Sequence, residues 1–160
     1  MDYLWSPWRY RYLLDPDKSG ECVFCQIAAA YRDEETLIVH RGRYNFIVLN
    51  KFPYTSGHLM VVPFAHASEL SAVEEAASTE MMNLARLAER HLRSLYRPDG
   101  LNIGMNIGAS AGAGIAGHIH MHVLPRWNGD ANFMTTIGET RVLPEELSDT
   151  WRRLSEAFAS

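Results

Sequence analysis

The chain has 160 residues, 47% of them hydrophobic and 21% charged, with a formal net charge of −4. That is enough for one domain with a core of its own, without disulfide staples. The acidic balance gives no electrostatic case for nonspecific nucleic-acid binding, and no apolar run approaches the length of a membrane span.

Residues 1–20 are aromatic and turn-rich and read as an N-terminal arm laid on a surface, with Trp5 and Trp8 as packing or interface anchors. No basic region followed by an apolar stretch opens the chain, so a secretory leader is not expected and the expected location is cytoplasmic. Asp15-Pro16-Asp17-Lys18-Ser19-Gly20 begins like a calcium loop, but Gln26 stands at the twelfth position, so it reads as a plain turn. The only cysteines, Cys22 and Cys25, form a C-x-x-C pair. Such a pair is compatible with redox chemistry, half a metal site or two buried small side chains. No βαβ pattern surrounds it, and histidines elsewhere can complete a four-ligand set, which favours the metal reading.

Cys22 to Tyr31 is a candidate short helix. Thr36 to Val39 and Tyr44 to Leu49 are strand-like, with Arg41-Gly42-Arg43 as the turn between them. After a loop, Gly57-His58-Leu59-Met60-Val61-Val62-Pro63 is a strand closed by its proline. From Ser68 to about Tyr96 the period is helical, with Leu84, Leu87, Ala88, His91, Leu92 and Leu95 on one stripe. His91 is therefore a core or boundary residue, whereas His40, at a strand end beside Arg41, reads as surface.

Leu101 to Ile107 is strand-like. Gly112-Ala113-Gly114-Ile115-Ala116-Gly117 matches G-x-G-x-x-G but opens no helix, so a dinucleotide fold is rejected. Its glycines can still bring backbone N–H groups close to an anion. Next comes His118-Ile119-His120-Met121-His122, in which period two on a strand sets three imidazoles on one face. Pro144 to Ala157 is a terminal helix, with Glu145 and Glu146 in its first turn and Arg152 and Arg153 later. Strands with a helix on one face make an α+β domain over residues 21–160.

The run His118-Ile119-His120-Met121-His122-Val123-Leu124 resembles the signature of the histidine triad (HIT) superfamily of nucleotide hydrolases and transferases. Asn50-Lys51-Phe52-Pro53, the strand at 57–63 and His66 resemble its upstream block. Residues 101–117 and Pro125-Arg126-Trp127-Asn128-Gly129-Asp130-Ala131-Asn132-Phe133-Met134 resemble a bacterial branch close to diadenosine tetraphosphate phosphorylases.

The resemblance implies a HIT-like α+β fold with a five-stranded antiparallel sheet, a long helix and a C-terminal helix, assembled as a homodimer or a higher homo-oligomer. It implies His120 as the nucleophile on an α-phosphate, with His122 and His58 assisting. Asn50 would bind the ribose hydroxyls and Asn106 a phosphate. Where many members have Gln and then Ser or Thr, this chain has Gly114 and Ile115, whose N–H groups would replace the missing hydroxyl. Zinc-bearing members imply a structural zinc on Cys22, Cys25, His66 and His118, with no organic cofactor. The expected reaction is cleavage of dinucleoside polyphosphates through a nucleotidyl-histidine, with phosphate or water as acceptor. The alternatives are a nucleoside phosphoramidate hydrolase, a nucleotide-binding module with little turnover, and a metalloenzyme holding catalytic zinc on His118, His120 and His122. Trp127 lies near enough to the site to act in packing or in substrate contact.

Overall fold

The computed structural model describes residues 21–131 and 144–159. The N-terminal arm with Trp5 and Trp8, the turn at 15–20 and the segment Asn132-Phe133-Met134 lie outside them.

The elements are α1 (Val23–Ala30), α2 (Asp33–Thr36), β1 (Ile38–Arg41), β2 (Asn45–Leu49), β3 (Leu59–Pro63), α3 (Glu75–Tyr96), β4 (Gly100–Met105), β5 (Met121–Arg126) and α4 (Leu147–Ala159). The strands form one five-stranded sheet in the order β1-β2-β3-β5-β4. Every neighbouring pair is antiparallel. No helix among the described residues is long and apolar enough to cross a membrane.

Strand alternation divides the core in two. Ile47, Leu49, Leu59, Val61, Met121 and Val123 face α3 and α4, meeting Met81, Ala88, Leu92 and Leu154. Ile38, Phe46, Val48, Met60 and Val62 face the other way and are covered by α1 through Phe24. With both faces covered, β2 and β3 are buried along their whole length, which is why they read as continuous apolar runs.

Several expected boundaries shift for local reasons. Thr36 is not in a strand. It closes α2, its hydroxyl donating to the Arg32 carbonyl, and Leu37 (φ 63°) makes the left-handed exit before β1. The long helix starts at Glu75 rather than Ser68, because Leu70–Ala72 is a separate 3₁₀ turn ending in extended Val73. Glu145 and Glu146 precede α4, whose first turn carries Asp149 instead. Glu145 accepts hydrogen bonds from the Tyr96 and Thr150 hydroxyls and pairs with Arg153, pinning the start of α4 to the end of α3.

His40 is half-buried rather than on the surface. An irregularity in the β1–β2 register sets it opposite Ile47, on the helix face, with its ring 5.4 Å from Phe158. His91 packs on the same Phe158 at 4.6 Å, as a boundary residue would.

Two devices hold the turns that lead into β2 and β3. Glu80 of α3 accepts the N–H groups of Arg43, Tyr44 and Asn45 and the Asn45 amide, all at 2.7–2.8 Å, and so fixes the β1–β2 turn. Gly57 (φ 77°) makes the turn into β3, where an added Cβ would lie 3.0 Å from Leu92 Cδ2, so a side chain there would meet both backbone strain and a tight contact.

Candidate active site and metal centre

The histidine segment is only partly a strand. His122 pairs with Met60 and Gly104 inside the sheet, whereas His118 and His120 lie just before β5. The expectation of three imidazoles on one paired strand is corrected accordingly. Ile119 instead donates its N–H to the Ala67 carbonyl at 2.7 Å, outside the ladder. This departure lets His118 turn to the cysteines while His120 and His122 stay together, their rings 4.9 Å apart.

The hydrogen bonds assign the imidazole tautomers. His58 Nδ1 accepts the Tyr54 N–H at 3.2 Å, so its proton is on Nε2, which donates to His122 Nδ1 at 2.9 Å. His122 is thereby left with its proton on Nε2. His120 Nδ1–H donates to the His118 carbonyl at 2.9 Å, leaving a lone pair on Nε2. His118 Nε2–H donates to the Pro63 carbonyl at 2.9 Å, leaving a lone pair on Nδ1.

Burial pushes all three segment histidines below their ordinary value. For His118 burial outweighs the Pro63 carbonyl, which acts in the opposite sense. For His120 it outweighs the His118 carbonyl. His122 is pushed down to about 4, by burial first and by neighbouring His120 second. Burial thus favours the neutral form of these three imidazoles, and the His120 Nε2 lone pair is available to an electrophile.

Asn50 stands at the mouth of this cluster. Its amide nitrogen lies 3.4 Å from His58 Nδ1, and its Oδ1 accepts the Phe52 N–H at 2.9 Å. Asn106 follows Met105, the partner of Met121, so register brings its backbone level with His120. Gly114 is exposed in the loop after the 3₁₀ turn Ala109–Ala111, and Ile115 packs against the Phe24 cluster. No helix follows these glycines; β5 does.

Two contributors carry no motif. Tyr54 packs its ring 4.8 Å from His58 and 6.3 Å from His122. Phe24, 2% exposed, lies between the two cysteines in sequence and packs its ring 5.4 Å from His118 and 5.1 Å from His120. Phe24 at an apolar helix position reads as core and Tyr54 as an ordinary loop residue, so only the tertiary structure reveals either contact.

On the other side of His118, Cys22, Cys25, His66 and His118 bring one ligand atom each within 4.8 Å of one another. Cys22 Sγ is 3.2 Å and Cys25 Sγ 3.6 Å from His118 Nδ1, and Cys25 Sγ is 3.4 Å from His66 Nδ1. Zinc bonds of about 2.3 Å to sulfur and 2.1 Å to nitrogen set tetrahedral S–N edges of about 3.6 Å, the scale seen here. The His118 tautomer fits as well: Nδ1 is the free donor, and Nε2–H is held by a carbonyl in the way metal-ligating histidines are. The residues therefore fit a Cys₂His₂ metal site. Both thiols are free of disulfide. Burial, then adjacent Cys22, pushes the Cys25 thiol up, which a bound cation would reverse.

The same geometry argues against one catalytic zinc on all three segment histidines. His118 turns its free nitrogen to the cysteines, and His122, whose Nδ1 accepts from His58, carries a proton on Nε2, which leaves His120 alone with a lone pair facing the site.

Sequence and fold both have known relatives. The profile described as the HIT domain matches residues 32–129. An AP-4-A phosphorylase of Mycobacterium tuberculosis is 44% identical over 98% of this chain and 84% of its own length. Among solved structures, a Zn-bound histidine triad family protein from Mycobacterium smegmatis superposes with a TM-score of 0.70 at 28% identity, covering 87% of this chain and 94% of that one. A histidine triad nucleotide-binding protein from Sulfolobus tokodaii gives a TM-score of 0.69 at 26% identity, covering 86% and 92%.

Proposed function

The chain belongs to the HIT domain family, and on that premise we propose that it is a nucleotidyl-transferring enzyme that cleaves diadenosine tetraphosphate by phosphorolysis to ADP and ATP. One observation carries the mechanism: His120 Nδ1–H is held by the His118 carbonyl, so the nucleophilic lone pair is on Nε2. The activity named for the 44%-identical relative supports the substrate.

In the first half-reaction His120 Nε2 attacks an α-phosphorus. A P–N bond forms, the bond from that phosphorus to the bridging oxygen breaks, and ATP leaves. In the second, an oxygen of inorganic phosphate attacks the same phosphorus, the P–N bond breaks, and ADP departs from regenerated His120. His122 offers its Nε2–H to the phosphoryl or leaving oxygen, and His58 holds it in that tautomer. Asn50 takes the ribose hydroxyls. The Asn106 amide and the N–H groups of Gly114 and Ile115 take phosphate oxygens. A zinc ion on Cys22, Cys25, His66 and His118 would complete a closed structural site, cross-linking α1 to the histidine segment with no open position for catalysis. We also propose a cytoplasmic homodimer; the outer edge of β4, unpaired among the described residues and with Ile103 46% exposed, is available for pairing.

Product analysis tests the reading. ADP plus ATP formed only when phosphate is present is the expected result. AMP plus ATP irrespective of phosphate means a hydrolase. Turnover of adenosine phosphoramidate but not of the dinucleotide moves the assignment to the phosphoramidate hydrolases.

A further inference from the structure

Past His122, the same face of β5 continues as Leu124 and Arg126, and both line a cavity of about 660 Å³. That volume is in the range of small-molecule sites. Among the described residues, Tyr54, Trp127, Tyr96 and Ala131 also line it. Tyr54 joins it to the catalytic cluster, because the same ring packs on His58 and His122. Leu124 lies four positions beyond His120, a span of about 13 Å for extended chain.

The cavity's charge state restricts what it can hold. Arg126 donates from Nε and Nη2 to Asp130 at 2.6 and 2.7 Å, and from Nη1 to Asn102 at 2.8 Å. Arg153 is paired with Glu145, donates to the Leu95 carbonyl, and covers the Tyr96 ring at 4.7 Å. Among the described residues, the cations of the lining, Arg126 and Arg153, are committed to carboxylates, so these residues offer no unpaired cation to phosphate. Aromatic walls without net charge suit an uncharged, planar, hydrogen-bonding group.

Resting on the reaction above, we propose that this cavity is the subsite for the nucleoside of the leaving half. The polyphosphate runs from His120 past His122, and the second base lies against Tyr54 and Trp127. The enzyme thereby distinguishes a dinucleoside polyphosphate from a mononucleotide with an equally long phosphate chain. Trp127 acquires substrate contact as its role, with buried Leu124 at the cavity's floor and exposed Ala131 at its rim.

Binding to the His120→Asn chain, which cannot turn substrate over, tests this directly. Titration calorimetry compares diadenosine tetraphosphate with adenosine 5′-tetraphosphate, which has the same four phosphates and lacks the second nucleoside. The dinucleotide should bind about tenfold tighter or more, the range set by one base stacking on an aromatic side chain. Ala131→Trp, a substitution at an exposed rim position, should bring the ratio close to one while leaving adenosine tetraphosphate binding unchanged. Trp127→Ala should reduce the ratio as well. Equal affinities in the His120→Asn chain overturn the subsite, as does a ratio that survives both added substitutions. Those results leave phosphorolysis by the wild type untouched, whereas failure to bind either ligand overturns both readings.

Discussion

Acidification is the perturbation that separates a buried, neutral nucleophile from an ordinary histidine. At about pH 5.5 an imidazole with the usual value near 6.5 is only about one-tenth neutral, a tenfold loss of nucleophile relative to neutral pH. His122, held at about 4, stays more than nine-tenths neutral there, and burial shifts His120 in the same direction. The first half-reaction should therefore lose much less than tenfold between about pH 7.5 and 5.5, with its midpoint below 6.5. The quantity to measure is kcat/KM for diadenosine tetraphosphate, because it excludes the acceptor phosphate, which itself titrates near neutrality. Folding must be followed in the same buffers. A histidine whose folded value is lowered stabilises the protein fully above its unfolded value of about 6.5. That stability is lost as pH falls from there towards the folded value, by at most about 1.4 kcal/mol per pH unit for each group. A tenfold loss of kcat/KM in still-folded protein, with a midpoint at 6.5 or higher, would refute the reasoning from burial.

Three further outcomes follow from particular contacts. Cys25→Ser should reduce bound zinc from one ion per chain to a small fraction by elemental analysis, and should lower Tm, since α1 loses its link to the histidine segment; full zinc content would contradict the ligand set. His58→Ala should lower kcat about tenfold by freeing the His122 tautomer, the equivalent of one hydrogen bond, and an unchanged kcat would show that His122 is oriented by other means. Glu80→Ala removes the acceptor of four hydrogen bonds at the β1–β2 turn and should cost about 3 kcal/mol in urea unfolding; a loss under 1 kcal/mol would mean that water replaces the carboxylate.

What was legible in the sequence was periodicity and motif chemistry. The runs at 45–49 and 59–63 and the helical stripe through Leu84, Ala88 and Leu92 appear where expected. Cys22, Cys25, His66 and His118 converge as the resemblance implied. Boundaries were less legible because they depend on partners distant in sequence. Glu145 looked like a helix-dipole residue, yet Tyr96, 49 positions away, claims it before α4 begins. His40 looked exposed until the register irregularity turned it under Phe158. The alternation at 118–122 was real, but the Ile119 bond to Ala67 takes its first half out of the ladder. Phe24 and Tyr54 could not have been singled out, since their roles consist of packing against histidines from other elements.

The most direct test of the account is to trap the intermediate. Wild-type protein mixed with diadenosine tetraphosphate in the absence of phosphate, quenched and digested, should yield an AMP adduct on the peptide spanning 118–122, localised to His120. Added phosphate should discharge it as ADP, and His120→Ala should form none. Full turnover by His120→Ala, or an adduct on a different residue, would contradict the central claim.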